Sequence, residues 1–569
     1  MKNTKRYLAV VTSMIMAISM FAGCGSASDQ SPTADNKDAA TTKSNNAAKS
    51  ADTQKSDTND AATANDNTNM GIMAETEAVD GDFYDGGDYY DYNTEEYNHY
   101  AENEFKKVSE NPLSTFSTDV DTASFTNVRR MIENGQEIYP DAVRTEEFIN
   151  YFKYDYEQPE DGHKIGIHTE LSDCPWNKDA KLMQIGLQAK DVDVKDIDSN
   201  IVFLIDVSGS MADENKLPLV TQAFAMLAET LGENDRISIV TYAGRDTVEL
   251  AGESGANYSK IAKKLAGLTA GGSTAGAAGI NTAYELAQEY FIEGGNNRVI
   301  LATDGDLNVG LSSEEELTKL IENKRDSGIY LSVLGFGMGN YKDNKLEALA
   351  DHGNGNYAYI DSIDEAERVL VTEMNGTMFT VAKDAKVQVE FNPANVDSYR
   401  LVGYENRQLA DQDFEDDTKD AGDVGAGQQV TVLYEIITVD GAKDSDESRR
   451  TLKYQDDVDY PEPEKEPEEG DLDKELLTVS VRYKEADENE SKLTEKPVLL
   501  SSYKKDMSDN MKLACAAAMF AKTLGNSEDK FSTDVIRDYA VGLKLDAEEL
   551  LKMLNNYDDM SDRRIYDEY

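Results

Sequence analysis

The run Ile201-Val-Phe-Leu-Ile-Asp206-Val-Ser208-Gly-Ser210-Met211 constrains the fold more than any other segment of the chain. Five consecutive apolar residues read as a strand buried on both faces, which places it inside a layered sheet. The strand ends in Asp-x-Ser-x-Ser, a carboxylate and two hydroxyls on a tight glycine-containing loop. Oxygen ligands at the carboxyl end of a buried strand suit a hard divalent cation. Taken alone, the fragment reads equally well as turn and helix-cap chemistry. The residues downstream decide between the two.

Gly271-Gly-Ser-Thr274-Ala-Gly276 opens a helical pattern through Ala278, Tyr284, Leu286, Ala287 and Phe291. A glycine-rich turn ahead of a helix lets a threonine hydroxyl approach a bound ion without steric cost. Arg298-Val-Ile-Leu-Ala-Thr303-Asp304-Gly305 is another buried strand that ends in a carboxylate. These motifs punctuate an alternation of strands and helices between 200 and 375. Strands are expected at 201–206, 236–242, 247–250, 298–303, 330–336 and 356–360, and helices at 216–231, 313–326, 343–351 and 363–375. Such alternation demands a mostly parallel sheet with helices on both faces and ligands at its carboxyl edge. No Gly-x-Gly-x-x-Gly follows a first strand, so a dinucleotide site is not expected.

In order and spacing, Asp206, Ser208, Ser210, Thr274 and Asp304 resemble the metal-ion-dependent adhesion site of a von Willebrand factor type A domain. The resemblance implies a Rossmann-like α/β domain and a divalent cation, magnesium first, with manganese or calcium as alternatives. Asp206 and Asp304 would supply charge, partly through water, while Ser208, Ser210 and Thr274 supply neutral oxygens. Magnesium takes six oxygens and keeps waters readily, so two carboxylates leave it under-neutralised and open to a third. The family uses that position for an Asp or Glu side chain of a partner. Asp306 and Asn308, just beyond Asp304, read first as plain loop residues. The rival from another class is a metal-dependent hydrolase, which needs a general base near the ion. The chain has 4 histidines, of which His99, His163 and His168 lie outside the domain and His352 in a helix-end loop. No Gly-x-Ser-x-Gly elbow is present either. The expectation is therefore a binding protein with an adhesion or scaffold role rather than an enzyme. An envelope assembly or chaperone-like factor is the alternative.

The ends of the chain speak to location. Met1 to Arg6 is basic, Leu8 to Phe21 is apolar, and Phe21-Ala-Gly-Cys24 follows. The apolar stretch is short for a membrane span and reads as an export signal. Small residues before a cysteine resemble a bacterial lipoprotein lipobox, implying lipid on the Cys24 sulfur and cleavage before it. At about 0.8 kcal/mol per buried methylene, two or three acyl chains hold a protein at a membrane. Residues 25–104 are rich in Ser, Thr, Asp, Asn, Ala and Lys, with almost no large apolar side chain before Phe83. That composition reads as a disordered acidic tether, with a root-mean-square reach of about 50 Å. Lys plus Arg number 56 against 110 Asp plus Glu, a net charge of −54. Such a balance excludes a nucleic-acid partner and suits attraction of divalent cations outside the cell. Cys174 and Cys515 permit a disulfide in an exported protein, but Cys515, within Leu-Ala-Cys-Ala-Ala-Ala, reads as a small buried apolar residue.

The expected partition is a signal peptide at 1–24, the tether at 25–104, a helical and β flanking region at 105–195, and the von Willebrand A domain at 196–378. A β-rich region at 379–500 and C-terminal helices at 501–569 complete it. The 105–195 and C-terminal regions resemble those flanking the domain in a bacterial subgroup of exported von Willebrand A proteins. Asp119 and Asp121 lack the glycine and glutamate of a calcium loop and read as helix-capping residues. Period-two runs at 165–171 and 181–189 precede the domain, and others at 386–391, 399–404, 429–437 and 476–483 follow it. Two strands alone are marginal, so the strands on both sides are expected to join as one antiparallel β-sandwich with the domain inserted, an architecture similar to the integrin β-subunit. That expectation puts 165–171 and 386–391 in a common sheet. Two helices, at 507–524 and 532–555, are expected to end the chain. The ligand expected is a protein or cell-envelope component presenting a carboxylate, met by a lipid-anchored protein on the outer side of the membrane.

Overall fold

Sixteen strands are described: β1 Lys106–Lys107, β2 Leu113–Ser117, β3 Ile165–Asp173, β4 Lys181–Ala189, β5 Ser199–Asp206, β6 Arg236–Ala243, β7 Arg245–Ser254, β8 Asn296–Thr303, β9 Tyr330–Phe336, β10 Tyr357–Ile360, β11 Thr380–Phe391, β12 Val396–Val402, β13 Gly422–Gly425, β14 Gln429–Thr438, β15 Glu475–Glu485 and β16 Ser491–Leu499. They come from a computed structural model that describes residues 94–567, apart from 119–120, 161, 193–196, 274–275, 306–313, 340, 374–375, 377–378, 420, 440–474 and 486–489. Cys24 and the tether up to 93 lie outside the described residues.

The central sheet runs β10-β9-β8-β5-β6-β7, with every pair parallel except β6–β7. Every residue of β5 and β8 is buried, as their apolar runs require of middle strands. Alternate residues of β5 serve opposite faces. Ile201, Phe203 and Ile205 meet the helix Leu217–Thr230, where Phe203 stacks on Phe224 with centroids 4.2 Å apart. Val202 and Leu204 face Ile280, Ala283 and Tyr284 of the helix Gly276–Glu289. This is the expected Rossmann-like layering. It brings the ends of β5 and β8 side by side, since Ile205 pairs with Ala302.

Two antiparallel sheets flank the domain. One runs β1-β12-β14-β4-β3; the other runs β13-β11-β15-β16, with β2 also on β11. Their inner faces meet through aromatic rings: Phe391 stacks on Tyr399 at 3.9 Å, and Phe116 tilts against Tyr434 at 6.4 Å. The chain therefore forms a sandwich from strands on both sides of the inserted domain, but its pairing corrects the expectation. Ile165–Asp173 and Thr380–Phe391 fall in opposite sheets, and the link across the insertion is β4 with β14, from Gln188↔Gln429 to Lys181↔Ile436. The cause is that β11 is already sandwiched between β15 on one edge and β2 and β13 on the other.

A separate apolar core joins the two ends of the described chain. Helix Ala123–Glu133 and helix Thr145–Asn150 pack with Asp509–Leu524, Thr533–Ala540 and Glu548–Asp567. Where one final helix was expected there are two, because Val541 is extended and Gly542 takes φ +78°. Cys174 and Cys515 are both buried in this core as free thiols, so they form no disulfide. Burial pushes the Cys174 thiol up to about 12, which keeps it protonated. The Asp121 carboxylate accepts from the Tyr357 N–H at 3.0 Å and pairs with Arg407, ties that the capping expectation did not include. The last part of the expected tether, residues 94–104, is held. The Thr94 N–H donates to the Gly339 carbonyl at 2.7 Å, Glu95 pairs with Arg130, and Asn103 donates to the Gly403 carbonyl at 2.8 Å. No helix among the described residues is long and apolar enough to cross a membrane.

Candidate metal centre

Asp206 closes β5 fully buried, and the chain turns at once into a short 3-10 segment, Gly209–Ala212. The Ser208 N–H donates to Asp206 Oδ1 at 2.8 Å, and Thr303 Oγ1 donates to Asp206 Oδ2 at 3.2 Å. The hydroxyls of Ser208 and Ser210 lie 3.0 Å apart, Ser208 buried and Ser210 exposed. The glycine-rich loop is tied to this turn from both sides. The Gly209 N–H reaches the Gly272 carbonyl at 3.1 Å, and the Gly271 N–H reaches the Val207 carbonyl at 2.8 Å. Gly272 sits at φ +94°, a conformation that a side chain would strain. Thr274 itself, like Asp306 and Asn308, lies outside the described residues. Four of the five expected donors are thus described at one edge of the sheet, and the loop that carries the fifth is bonded to it.

Burial, with a smaller contribution from nearby Asp304, pushes the Asp206 carboxyl up to about 6 against the pull of the Ser208 hydrogen bonds. Asp304 is 1% exposed. Its Oδ2 accepts from the Lys216 ammonium at 3.0 Å, while its Oδ1 is buried with no hydrogen-bond partner among the described residues. An orphaned carboxylate oxygen beside a second buried carboxylate and two hydroxyls is a hard-oxygen donor set, and a divalent cation fits it. Lys216 is the residue that sequence reasoning missed. It stands at the N-terminal border of the helix Leu217–Thr230, and its stem lies over Gly337, where a Cβ would collide with it. A lysine followed by Leu-Pro signals a helix start and nothing about the aspartate it meets. Among the described residues, no three His, Cys, Asp or Glu side chains converge as metal ligands.

Comparison with known proteins covers most of the described chain. The von Willebrand factor type A domain matches residues 200–371, a von Willebrand factor model matches 91–184, and the C-terminal model of uncharacterized protein YfbK matches 376–553. Uncharacterized protein YfbK of Escherichia coli K12 is 41% identical over 444 residues, which are 76% of this chain and 75% of that one. Human inter-alpha-trypsin inhibitor heavy chain H3 is 31% identical over 178 residues, 29% of this chain and 20% of its own. Among solved structures, a von Willebrand factor type A protein from Catenulispora acidiphila aligns over 65% of this chain and 82% of that chain, at 14% identity and a TM-score of 0.37. The match over three quarters of both chains takes in the inserted domain and its flanking regions, and the chain belongs to the YfbK family of von Willebrand A domain proteins.

Proposed function

We propose that this protein is a lipid-anchored, extracytoplasmic binding protein that grips an acidic group of a protein or envelope ligand through a divalent cation, most simply magnesium. The observation that carries the reading is Asp304 Oδ1, buried beside Asp206 at the carboxyl edge of the sheet with no hydrogen-bond partner among the described residues. When bound, the cation supplies a Lewis-acidic position for a partner carboxylate. Asp206 is held in place by Ser208 and Thr303, and Lys216 fixes the other oxygen of Asp304, so the donors are aimed before any ion arrives. Binding rather than turnover fits the surroundings. His99 pairs with Asp141, His163 meets Thr494, His168 meets the Glu157 carbonyl and His352 pairs with Glu322, all away from Asp206. The lipid anchor rests on the sequence at Cys24 and the tether that follows it.

The test is a pull-down from envelope extracts in magnesium and in EDTA. Partners should be retained in magnesium, and lost both in EDTA and with Asp206→Ala. The same partners on the beads in all three samples would remove the metal from the mechanism. A Cys24→Ser variant should move the protein out of the membrane fraction while leaving magnesium-dependent capture intact.

A further inference from the structure

Arg298 is the third residue of β8, toward the end of the strand remote from Asp304 and about 20 Å away at the rise of an extended chain. It is 2% exposed and makes no ion pair among the described residues. Its Nη1 donates to Ser332 Oγ at 2.7 Å, its guanidinium lies 5.5 Å from the centre of the Tyr330 ring, and its Nε has no hydrogen-bond partner among the described residues. The other buried arginines are treated differently: Arg129 meets Asp361 and Glu365, Arg130 meets Glu95, and Arg144 meets Asp343 and Glu347. Burial outweighs the attraction of Tyr330 and Asp423 and pulls Arg298 down to about 10, still charged at neutral pH.

The side chain lines a cavity of about 250 Å³ between the inserted domain and the sandwich, with Asn354 and Asn356 on one side and Thr380 and Asp423 on the other. The other charges on its wall are engaged. Asp423 accepts from Asn354 Nδ2 at 3.2 Å and from the Asp384 N–H at 3.3 Å. Arg407 is held by Asp351 at 2.9 Å and Glu347 at 2.7 Å. Backbone strain gathers around the same place. The described non-glycine residues with positive φ are Asn354 at 46°, Asp384 at 51° and Tyr404 at 62°. Asn354 lines the cavity, Asp384 holds Asp423, and the Tyr404 carbonyl accepts from the Arg407 N–H at 3.1 Å. Strained backbone persists only where its surroundings over-determine it, and it gathers at ligand sites.

We propose that this cavity binds a small organic carboxylate, which takes the open edge of the Arg298 guanidinium. The planar guanidinium fork matches a carboxylate with two parallel N–H donors. Among the described residues no carboxylate reaches ion-pair distance of the guanidinium, and Asp423 attracts it only from farther off, so one further negative charge fits beside it. A phosphate dianion would bring a second one up against Asp423 and Asp351, which also line the cavity.

The experiment is saturation-transfer NMR of the full chain with acetate as the probe, in EDTA so that no metal ion can hold it, and at constant ionic strength. Wild type should give a saturable acetate signal. Arg298→Met should weaken it at least about tenfold, the worth of one charge-assisted hydrogen bond. Arg298→Lys, which keeps the charge and loses the fork, should also weaken it. Ligand-free Arg298→Met should melt no lower than wild type, because it removes a buried charge that makes no direct ion pair among the described residues. The proposal is overturned by an absent acetate signal, by a signal that survives both substitutions, or by inorganic phosphate displacing acetate at a lower concentration than acetate itself needs. A large fall in the melting temperature of both variants overturns it too, by making Arg298 a structural residue.

Discussion

Asp206 carries a pH dependence whose sign follows from its burial. In the metal-free protein its carboxyl titrates near 6, above the ordinary value of 3.8. The folded state therefore holds the proton more tightly than the unfolded chain, and the stability this gives is complete below pH 4 and lost as pH rises through 6. A rise of about two pH units corresponds to about 3 kcal/mol. Chemical denaturation in EDTA should show a loss of that order between pH 4 and pH 7, and Asp206→Asn should flatten it; an unchanged slope in the variant would assign the effect elsewhere. Lys216 makes a second case. Its ammonium shares Asp304 with any bound cation, so Lys216→Met leaves a buried carboxylate without its partner. Breaking such a pair costs about 3–5 kcal/mol. Magnesium should then recover more melting temperature in the variant than it adds to wild type, and calorimetry with and without the ion reads the difference. An equal or smaller gain would mean that Lys216 and the cation do not compete. The aspartates and serines were legible in the sequence because each stands at the end of an apolar run. Lys216 and Arg298 were not, since only the fold brings the aspartate to one and buries the other without a direct ion pair among the described residues.

Elements of the inserted domain were legible almost to the residue: Tyr330–Phe336 is a strand as expected, and the helix expected at 343–351 spans Asp343–His352. Apolar periodicity fixes such elements because each is buried on a definite face. Elements defined by their partners were not legible. Leu113–Ser117 reads as polar lead-in to a helix and becomes a strand by pairing with β11. Ser491–Leu499 is a charged edge strand that holds Pro497 and pairs with β15, the position where proline is tolerated. The seam between the elements is also invisible in sequence. Helix Asp343–His352 is fastened to the flanking region by Arg144, which meets Asp343, Glu347 at 2.5 Å and Glu147 at 3.2 Å, while Arg407 reaches the same Glu347 at 2.7 Å. All three acids around Arg144 are buried, and burial raises the Glu147 carboxyl to about 8. Arg144→Met strands them together. It should cost about 3–5 kcal/mol, and hydrogen exchange should rise first along 343–352. A loss within the few tenths typical of surface pairs would show that the seam is held by its apolar contacts instead.

At the scale of the molecule, the correction to the sandwich pairing changes what the insertion does. The chain enters the inserted domain from β4 and leaves it into β11, and these strands belong to opposite sheets of the sandwich. Strand β4 is clamped between β3 and β14, and β11 between β15 on one side and β2 and β13 on the other. Had both ends entered one sheet, a rotation of the domain would tilt that sheet as a unit. With the ends in different sheets, the same rotation shears one layer of the sandwich against the other, across the Phe391–Tyr399 stack. Packed layers of this kind resist small shear and then shift between discrete arrangements. Loading the metal site should therefore be felt in the sandwich. Hydrogen exchange with and without magnesium is expected to change along both β4 and β11, with Asp206→Ala showing neither change. A response limited to the loops around Asp206 and Asp304 would mean that the sandwich only carries the domain and takes no part in its switching.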